Sequence, residues 1–351
     1  MFRLIEYFKP IVFLLQEDKK KIPFIFSIIL FVSFLDLVGI GLIGPIVGLV
    51  LTNSTENNSI IEMFPYLNFL RFNSSETNIL TLLSIILLIA FFIKMVIGIY
   101  SVHLMQKFSL YKATSIVTTL IESSLSTPYL EHVNKNSSEI ISNIERYSYI
   151  YGSLMFQFLK TLSDSTVILF LTIFMFITQP FVTAITFLFF LILGSIYILF
   201  FRKKMAGFGK KSVISLQKLI RQILEAVNGY QEIKTLAIEK FIRDKINKSS
   251  LDLSNAYIHQ SVVSAWPRLF FEFIFIAIII FSIQILVIKE LNLITFAPII
   301  VMFMYLATRM MPLFSNLMQL FFLFNFHMPA MRILYNNVKY ANRFNEKNTF
   351  I

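Results

Sequence analysis

The sequence contains no cysteine among its 351 residues. Disulfide bonds, cysteine zinc sites and thiol catalysis are therefore excluded. Only four histidines occur, and they are scattered, so they make no metal-binding cluster. Charged residues are scarce as well: they form 15% of the chain, whereas about a quarter is usual in soluble domains. The chain is therefore neither a thiol enzyme nor an enzyme with a cysteine or histidine metal cluster, and its low content of charged residues argues against a soluble globular protein.

The sequence also has no phosphate-binding loop of the form G-x-x-x-x-G-K-[ST]. The segment nearest to it, Gly207-Phe-Gly-Lys-Lys-Ser212, lacks the first glycine and has lysine where Ser or Thr should follow, so we interpret it as a basic juxtamembrane turn. Gly39-Ile-Gly-Leu-Ile-Gly44 matches the dinucleotide fingerprint, but it lies in an apolar run whose only ionisable residue is Asp36. We predict instead that Gly39, Gly41, Gly44 and Gly48 let another helix approach closely.

Apolar residues are abundant: they make up 56% of the chain, with 40 phenylalanines and a mean hydropathy of +0.73. A membrane-spanning helix needs about 20 mostly apolar residues. Six segments meet this requirement, so the predicted fold is an all-α membrane protein with six transmembrane helices. They are 22–51, 78–104, 154–178, 181–201, 263–288 and 293–325.

Positive charge is unevenly divided between the connections. The first 22 residues carry five Lys or Arg, and residues 105–146, 202–248 and 327–351 carry four, twelve and four, whereas the remaining connections hold only Arg71 and Lys289. The positive-inside rule then places both termini and the two long connections in the cytoplasm. The net charge of +11 thus reflects topology and attraction to anionic lipid headgroups, and it does not indicate nucleic-acid binding.

The two long connections are predicted to be helical extensions of the spans. From Asn78 to Leu125 the sequence has no proline, and the 48 residues correspond to about 70 Å of helix, whereas the hydrocarbon core needs about 30 Å. Each pair of extensions meets at a short break, at 127–139 and at 225–234. We predict that the helices project far into the cytoplasm.

These breaks carry two motifs, Pro128-Tyr-x-x-His132-x-x-x-Asn-Ser-Ser-Glu139 and Glu225-Ala-x-x-Gly229-x-x-Glu232-Ile-Lys234. Together with the six spans they resemble the transmembrane domain of an ABC exporter, over nearly the whole chain. The first span and Ala265-Trp-Pro-Arg-Leu-Phe-Phe-Glu272 resemble a narrower branch, which includes the lipid-linked oligosaccharide flippase of bacterial protein N-glycosylation.

The resemblance implies a homodimer in the bacterial cytoplasmic membrane. Two short coupling helices would touch ABC ATPase domains, with Pro128, Tyr129, His132, Gly229 and Glu232 as the contact residues. ATP and magnesium would bind on those ATPase domains, so we expect no cofactor, metal or catalytic site on this chain. Residues 1–21 would form an amphipathic elbow, 22–325 the six-span domain, and 326–351 a tail leading to where an ATPase domain would start.

Ionisable side chains inside spans are costly and therefore functional candidates. The resemblance implies that Lys94, Arg268 and Arg309 meet the pyrophosphate of a lipid-linked anionic substrate. Two alternatives stay open. Arg268 and Glu272, four residues apart, can form an intrahelical ion pair, and Asp36 or Asp164 can neutralise the cations in structural salt bridges.

Two functions of other classes are alternatives. An intramembrane transferase acting on polyprenyl substrates would need clustered acids for metal or general-base chemistry, and the three span acids Asp36, Asp164 and Glu272 lie on separate spans without a local motif. A structural or channel-forming bundle would not require the long cytoplasmic extensions. The sequence therefore favours a transporter.

Overall fold

The computed structural model of the chain describes residues 22–51, 76–129, 137–178, 180–288 and 293–348, and no β-strand occurs within these ranges. The all-α class is confirmed, and each of the six predicted spans lies within one long helix. In chain order the elements are α1 Ile22–Leu51, α2 Glu76–Ser126, α3 Ser137–Ile141, a π-helix Ser142–Tyr147, α4 Ser148–Thr178, α5 Pro180–Asn228, α6 Tyr230–Thr235, α7 Glu239–Ile288 and α8 Leu293–Asn348.

The lengths of the helices confirm the predicted extensions. Helix α2 has 51 residues, which is about 76 Å of helix, against the roughly 30 Å of a hydrocarbon core. Helices α5, α7 and α8 have 49, 50 and 56 residues. Helix α8 runs without a break through residue 325, so the predicted tail continues the sixth helix as far as Asn348. The amphipathic N-terminal segment predicted at 1–21 lies outside the described residues.

The surface of the bundle is unusually apolar. Large hydrophobic side chains are exposed all along the membrane half of α2, among them Leu82, Ile85, Leu88, Phe92 and Ile99, and an aqueous surface rarely carries so continuous an apolar patch. Within the described residues, three stretches are long and apolar enough to cross a bilayer, with Pro23–Gly39 as a shorter apolar helix. The three are Thr81–Ser126, Ser137–Phe174 and Thr308–Ala341.

Helix α8 occupies the centre of the bundle, because it packs against all five of the other long helices. One buried cluster joins α8 to α5 and α7 through Met205 on α5, Phe271 on α7 and Phe314 on α8. Another lies beyond the predicted spans, where Tyr147 and Leu334 are fully buried. The extensions therefore have a hydrophobic core of their own, which is why they project as one packed bundle.

One local prediction is wrong. Gly207-Phe-Gly-Lys-Lys-Ser212 forms no turn, since it lies inside the continuous helix α5. A Cβ atom at Gly209 would lie 1.9 Å from the carbonyl oxygen of Phe326, so at this point the backbones of α5 and α8 approach closely. Gly207 has nothing within 4 Å of its Cβ position. The glycine at 209 serves helix packing, a purpose that the local sequence does not distinguish from a turn.

Candidate functional site

The centre of the candidate site is Asp36 on the inward face of α1. Its side chain is 4% exposed, and its Oδ1 atom accepts hydrogen bonds from Lys94 on α2 and from Arg309 on α8. The distance from Arg309 Nη2 to Asp36 Oδ1 is 2.6 Å. One carboxylate oxygen thus links two cations from two other helices, inside three of the predicted spans.

The neighbourhood of Asp36 explains how α1 is held there. One turn earlier, the Ser33 and Thr166 hydroxyls lie 2.6 Å apart and tie α1 to α4. One turn later, Gly39 faces α2, where a Cβ atom would lie 2.8 Å from the Phe91 ring. The Lys94 ammonium lies 5.2 Å from the centre of that ring, a favourable cation–π distance. The prediction of close approach is therefore met at Gly39, although by an aromatic ring.

The other three glycines of this segment are less informative. A Cβ atom at Gly41 would lie 3.8 Å from the Phe174 ring, and the side-chain positions of Gly44 and Gly48 are outside those described.

Asp164 on α4 has a different partner from the one considered above. Its carboxylate accepts a hydrogen bond of 2.8 Å from the neutral amide of Asn316 on α8. Asn316 lies seven residues, or two helical turns, after Arg309, so both side chains project from one face of α8. Arg309 and Lys160 make no salt bridge with Asp164 within the described residues. Among the residues that the structure describes, the structural salt bridge therefore forms at Asp36, and Asp164 forms none.

Arg268 and Glu272 lie apart from this cluster, on α7. Both side chains are exposed, and within the described residues neither takes part in a salt bridge. The intrahelical ion pair considered from their spacing does not form. Of the three predicted substrate-binding cations, the structure brings together Lys94 and Arg309 and leaves Arg268 separate.

The second predicted coupling segment forms a tight elbow around α6. Gly229 separates α5 from α6, and its amide still donates to the Glu225 carbonyl at 2.9 Å. After α6, the Ile238 amide donates to the Ile233 carbonyl at 3.2 Å, and the intervening Ala237 has a φ of 51°. This is the hydrogen-bond pattern of a Schellman motif, in which a left-handed residue ends the helix. It reverses the chain within a few residues.

Ion pairs fasten the elbow to the long helices. Glu225 on α5 accepts from Arg221 at 3.0 Å and from Lys245 on α7 at 3.3 Å, and Lys234 on α6 donates to Glu239 on α7 at 2.9 Å. Hydrogen bonds from Arg221 and Lys245 hold the pKa of Glu225 below its usual range. The hydrogen bond between Lys234 and Glu239 raises the pKa of the lysine and lowers the pKa of the carboxyl group.

The elbow presents its other side chains to solvent. No side chain of α6 is buried, Glu232 is exposed, and the Tyr230 ring is 64% exposed. At the first predicted coupling segment, Pro128 and Tyr129 are exposed directly after α2. His132 lies outside the described residues.

The profile of the ABC transporter transmembrane region matches residues 22–313 of this chain. The chain belongs to that family. The match covers all of α1 through α7, and with them Asp36, Lys94 and Arg309 in the first, second and sixth spans. An ABC transmembrane region is a multi-pass membrane protein that pairs with an ABC ATPase domain, and the exposed elbow of this one lies at the place predicted for such a contact.

Two residues of this ABC transmembrane region, Tyr197 and Asn316, were not predicted from the sequence. The Tyr197 hydroxyl on α5 donates to the Val263 carbonyl on α7 at 2.9 Å. That carbonyl stands four residues before Pro267, inside α7, and proline has no amide hydrogen to donate to it. The signal was available, since a proline within a long helix predicts an unpaired carbonyl one turn earlier. Nothing in the sequence names Tyr197 as its partner.

Asn316 was missed for a related reason. An uncharged amide in an apolar span gives a weak signal by itself. Only the packing of α4 against α8 places it 2.8 Å from Asp164.

Proposed function

We propose that this chain is the membrane part of an ATP-driven exporter or flippase that carries an anionic lipid amphiphile, with a lipid-linked oligosaccharide as the favoured substrate. It works as a homodimer in the bacterial cytoplasmic membrane, with both termini in the cytoplasm. The observation that carries the proposal is the meeting of Lys94 and Arg309 inside predicted spans.

Two cations within a membrane are costly, and they persist where they serve a function. A guanidinium group binds a phosphate through two parallel hydrogen bonds. Arg309 is suited to that contact because its side chain is 37% exposed, whereas the carboxylate it now contacts is 4% exposed. Lys94 adds positive charge without the fork geometry.

The exposed charges of α7 support a dimer. Arg268 and Glu272 lie in the predicted span 263–288 and face away from the core of this chain. A charge that faces lipid is strongly unfavourable, so intramembrane charges nearly always face a protein interior or a water-filled cavity. A second copy of the chain would enclose such a cavity and supply that environment, with Arg268 as a third cation.

The elbow supports coupling to ATP. No residue of helix α6 is buried. An ion pair from Lys234 ties the end of α6 to Glu239 on α7, and the pair between Glu225 and Lys245 ties α5 to α7 beside it. ATP binding in the ATPase domains would move this elbow, and with it the first segment at Pro128–Glu139, so that the cytoplasmic side closes. A difference in substrate affinity between the two states makes such a cycle directional.

An intramembrane transferase is the second candidate, and the same geometry disfavours it. Asp36 is occupied by two cations, and Asp164 by an amide. No cluster of three potential metal ligands occurs among the residues that the structure describes. ATP-independent, metal-dependent activity of the purified protein would reverse this preference.

The test is charge reversal at Arg309. Inside-out vesicles from cells that express the native polypeptide are given ATP, and translocation of a fluorescent polyprenyl pyrophosphate saccharide is compared with that of a fluorescent phosphatidylcholine. We expect Arg309→Glu to abolish ATP-dependent translocation of the anionic lipid while the protein still inserts into the membrane. Arg332→Glu, which changes an exposed arginine on the same helix beyond the predicted span, is the matched control and should keep transport. Unchanged transport by Arg309→Glu contradicts the proposal.

The source of ATPase activity is tested by the mass of the native polypeptide. Blotting of its own membrane with an antibody to residues 52–77 gives a band near the 40.9 kDa of this sequence if the ATPase is a separate protein. A band larger by about 100–200 residues or more means that an ATPase domain follows on the same chain.

A further inference from the structure

The charges around Asp36 do not balance. Lys94 and Arg309 both donate to one carboxylate oxygen, so a single negative charge faces two positive charges. Asp164 and Lys160, which lie next in the cluster, add one charge of each sign. Among the described residues, the group therefore keeps an excess of one positive charge within the predicted membrane region.

Arg309 is also incompletely satisfied. Its Nη2 atom donates to Asp36, but its Nε atom is buried and has no hydrogen-bond partner among the residues that the structure describes. A guanidinium group that binds a carboxylate or phosphate side-on uses Nε together with one Nη atom. The contact with Asp36 is thus monodentate, so a ligand with two acceptor oxygens would satisfy this arginine more fully than Asp36 does.

We propose that Asp36 is an internal counter-anion that occupies the cation pair while the site is empty and is displaced by the phosphate of the substrate. This inference rests on the proposed function, and it adds a residue that sets affinity and specificity. A phosphate or pyrophosphate carries more negative charge than a carboxylate and offers more acceptor atoms, so it can satisfy Nη2 and Nε together and also neutralise the excess charge. A neutral or zwitterionic lipid cannot do both, which makes Asp36 a selector against such lipids.

Displacement by exchange also explains why a buried ion pair need not block transport. Removing one member of a buried pair leaves an uncompensated charge, which is strongly unfavourable. Replacing Asp36 with another anion keeps both cations compensated throughout. In this exchange Asp36 is displaced from Arg309 and stays beside Lys94, and after the phosphate leaves it pairs again with Arg309.

The experiment measures the binding of inorganic pyrophosphate to the purified native polypeptide in phosphatidylcholine nanodiscs, by isothermal titration calorimetry. We expect weak binding by the wild type and binding at least about tenfold tighter by Asp36→Asn, because the competing carboxylate is gone. Asp36→Glu keeps the carboxylate and should bind as weakly as the wild type.

Asp164→Asn provides the decisive comparison. Like Asp36→Asn, it removes one carboxylate from the cluster, but this carboxylate contacts the amide of Asn316 and not a cation. We expect it to tighten binding clearly less than Asp36→Asn. Equal tightening by the two variants would mean that only the net charge matters, and it would overturn displacement.

The variant Arg309→Gln distinguishes a wrong role for Asp36 from a wrong anion site. If this variant loses pyrophosphate binding while Asp36→Asn binds no tighter than the wild type, the proposed anion site stands and the role of Asp36 is wrong. If Arg309→Gln changes nothing, the anion site itself is wrong and both proposals fall.

Asp36→Asn leaves two cations unpaired and can fail to fold. In that case Lys94→Gln is compared with the double variant Asp36→Asn/Lys94→Gln, which removes one charge of each sign. The double variant frees Arg309 and should bind pyrophosphate more tightly than the single variant. Equal binding by these two would also overturn the proposal.

Discussion

Pro267 and Tyr197 give the sharpest prediction on stability. Helix α7 continues through Pro267, which leaves the Val263 carbonyl without its usual amide partner, and the Tyr197 hydroxyl from α5 takes that place at 2.9 Å. Tyr197→Phe keeps the ring contacts with Phe201 and Phe322, whose centroids lie 4.6 and 5.4 Å away. It removes only the donor.

The expected cost follows from the group that is left unpaired. Loss of a partner from a buried polar group costs about 1–3 kcal/mol, and because this hydrogen bond is part-buried, Tyr197→Phe should destabilise the domain by about 1 kcal/mol, the lower end of that range. In a Pro267→Ala background the new alanine amide can donate to the Val263 carbonyl, and the tyrosine hydroxyl becomes redundant there. The same Tyr197→Phe change should then cost less than about 0.5 kcal/mol, a coupling that a double-mutant cycle measures.

The assay is reversible unfolding in mixed micelles by a titration with sodium dodecyl sulfate, followed by circular dichroism of the four proteins in the cycle. Equal costs of Tyr197→Phe in the two backgrounds would refute the reasoning, because the hydroxyl would then be stabilising something other than the carbonyl that the proline frees.

Three further predictions concern the cytoplasmic extensions. Gly209→Ala should destabilise the domain in the same unfolding assay, because its Cβ atom would lie 1.9 Å from a backbone oxygen. Gly207→Ala has open space around it and should stabilise the domain by up to about 1 kcal/mol. If Gly207→Ala proves the less stable of the two variants, the close crossing of α5 and α8 is contradicted. The lowered pKa of Glu225 and Glu239 means that their ion pairs are fully formed above the ordinary carboxyl value of 4.5 and are lost as the pH falls through the lowered values. After correction for the intrinsic exchange rates, the hydrogen exchange of α6 amides should therefore accelerate relative to that of α8 amides below about pH 4. A ratio of the two exchange rates that stays constant down to about pH 3 would count against the ion pairs. Ala237→Gly should slow exchange in the elbow, because φ at this position is 51° and costs a residue with a side chain about 1–2 kcal/mol; faster exchange would mean that the gain in freedom of the unfolded chain prevails.

The helices were predictable from the sequence because their signals are long and redundant. In a span such as 78–104 apolar residues recur over the whole length, and the absence of proline up to Leu125 predicts that the helix continues into the cytoplasm. The breaks at Pro128 and Gly229 were found for the opposite reason, since they interrupt such a signal. The turn at Gly207–Ser212 was mispredicted because a glycine pair in a basic segment looks the same whether it bends the chain or admits another helix.

The candidate site was predictable only in part. The cost of charge in a membrane singles out Asp36, Lys94 and Arg309 one by one, and it makes a salt bridge at Asp36 one of the possible arrangements. Which acid meets which cation depends on how α1, α2 and α8 are rotated about their axes, and an apolar pattern that extends around a helix does not fix that rotation. The separation of Arg268 from the other cations has the same origin.

The close crossing of α5 and α8 also has a mechanical consequence. Phe326, whose carbonyl faces Gly209, lies 17 residues after Arg309 and 22 residues before Asn348, so it divides this part of α8 into arms of about 26 and 33 Å. If α8 pivots there as a rigid rod, a tilt of about 5° moves Arg309 by about 2 Å and the cytoplasmic end by about 3 Å in the opposite direction. A 2 Å displacement exceeds what a hydrogen bond of 2.6 Å to Asp36 can tolerate. The glycine at 209 then serves as a fulcrum, and a small push at the far end of a lever is enough to open a contact deep in the membrane.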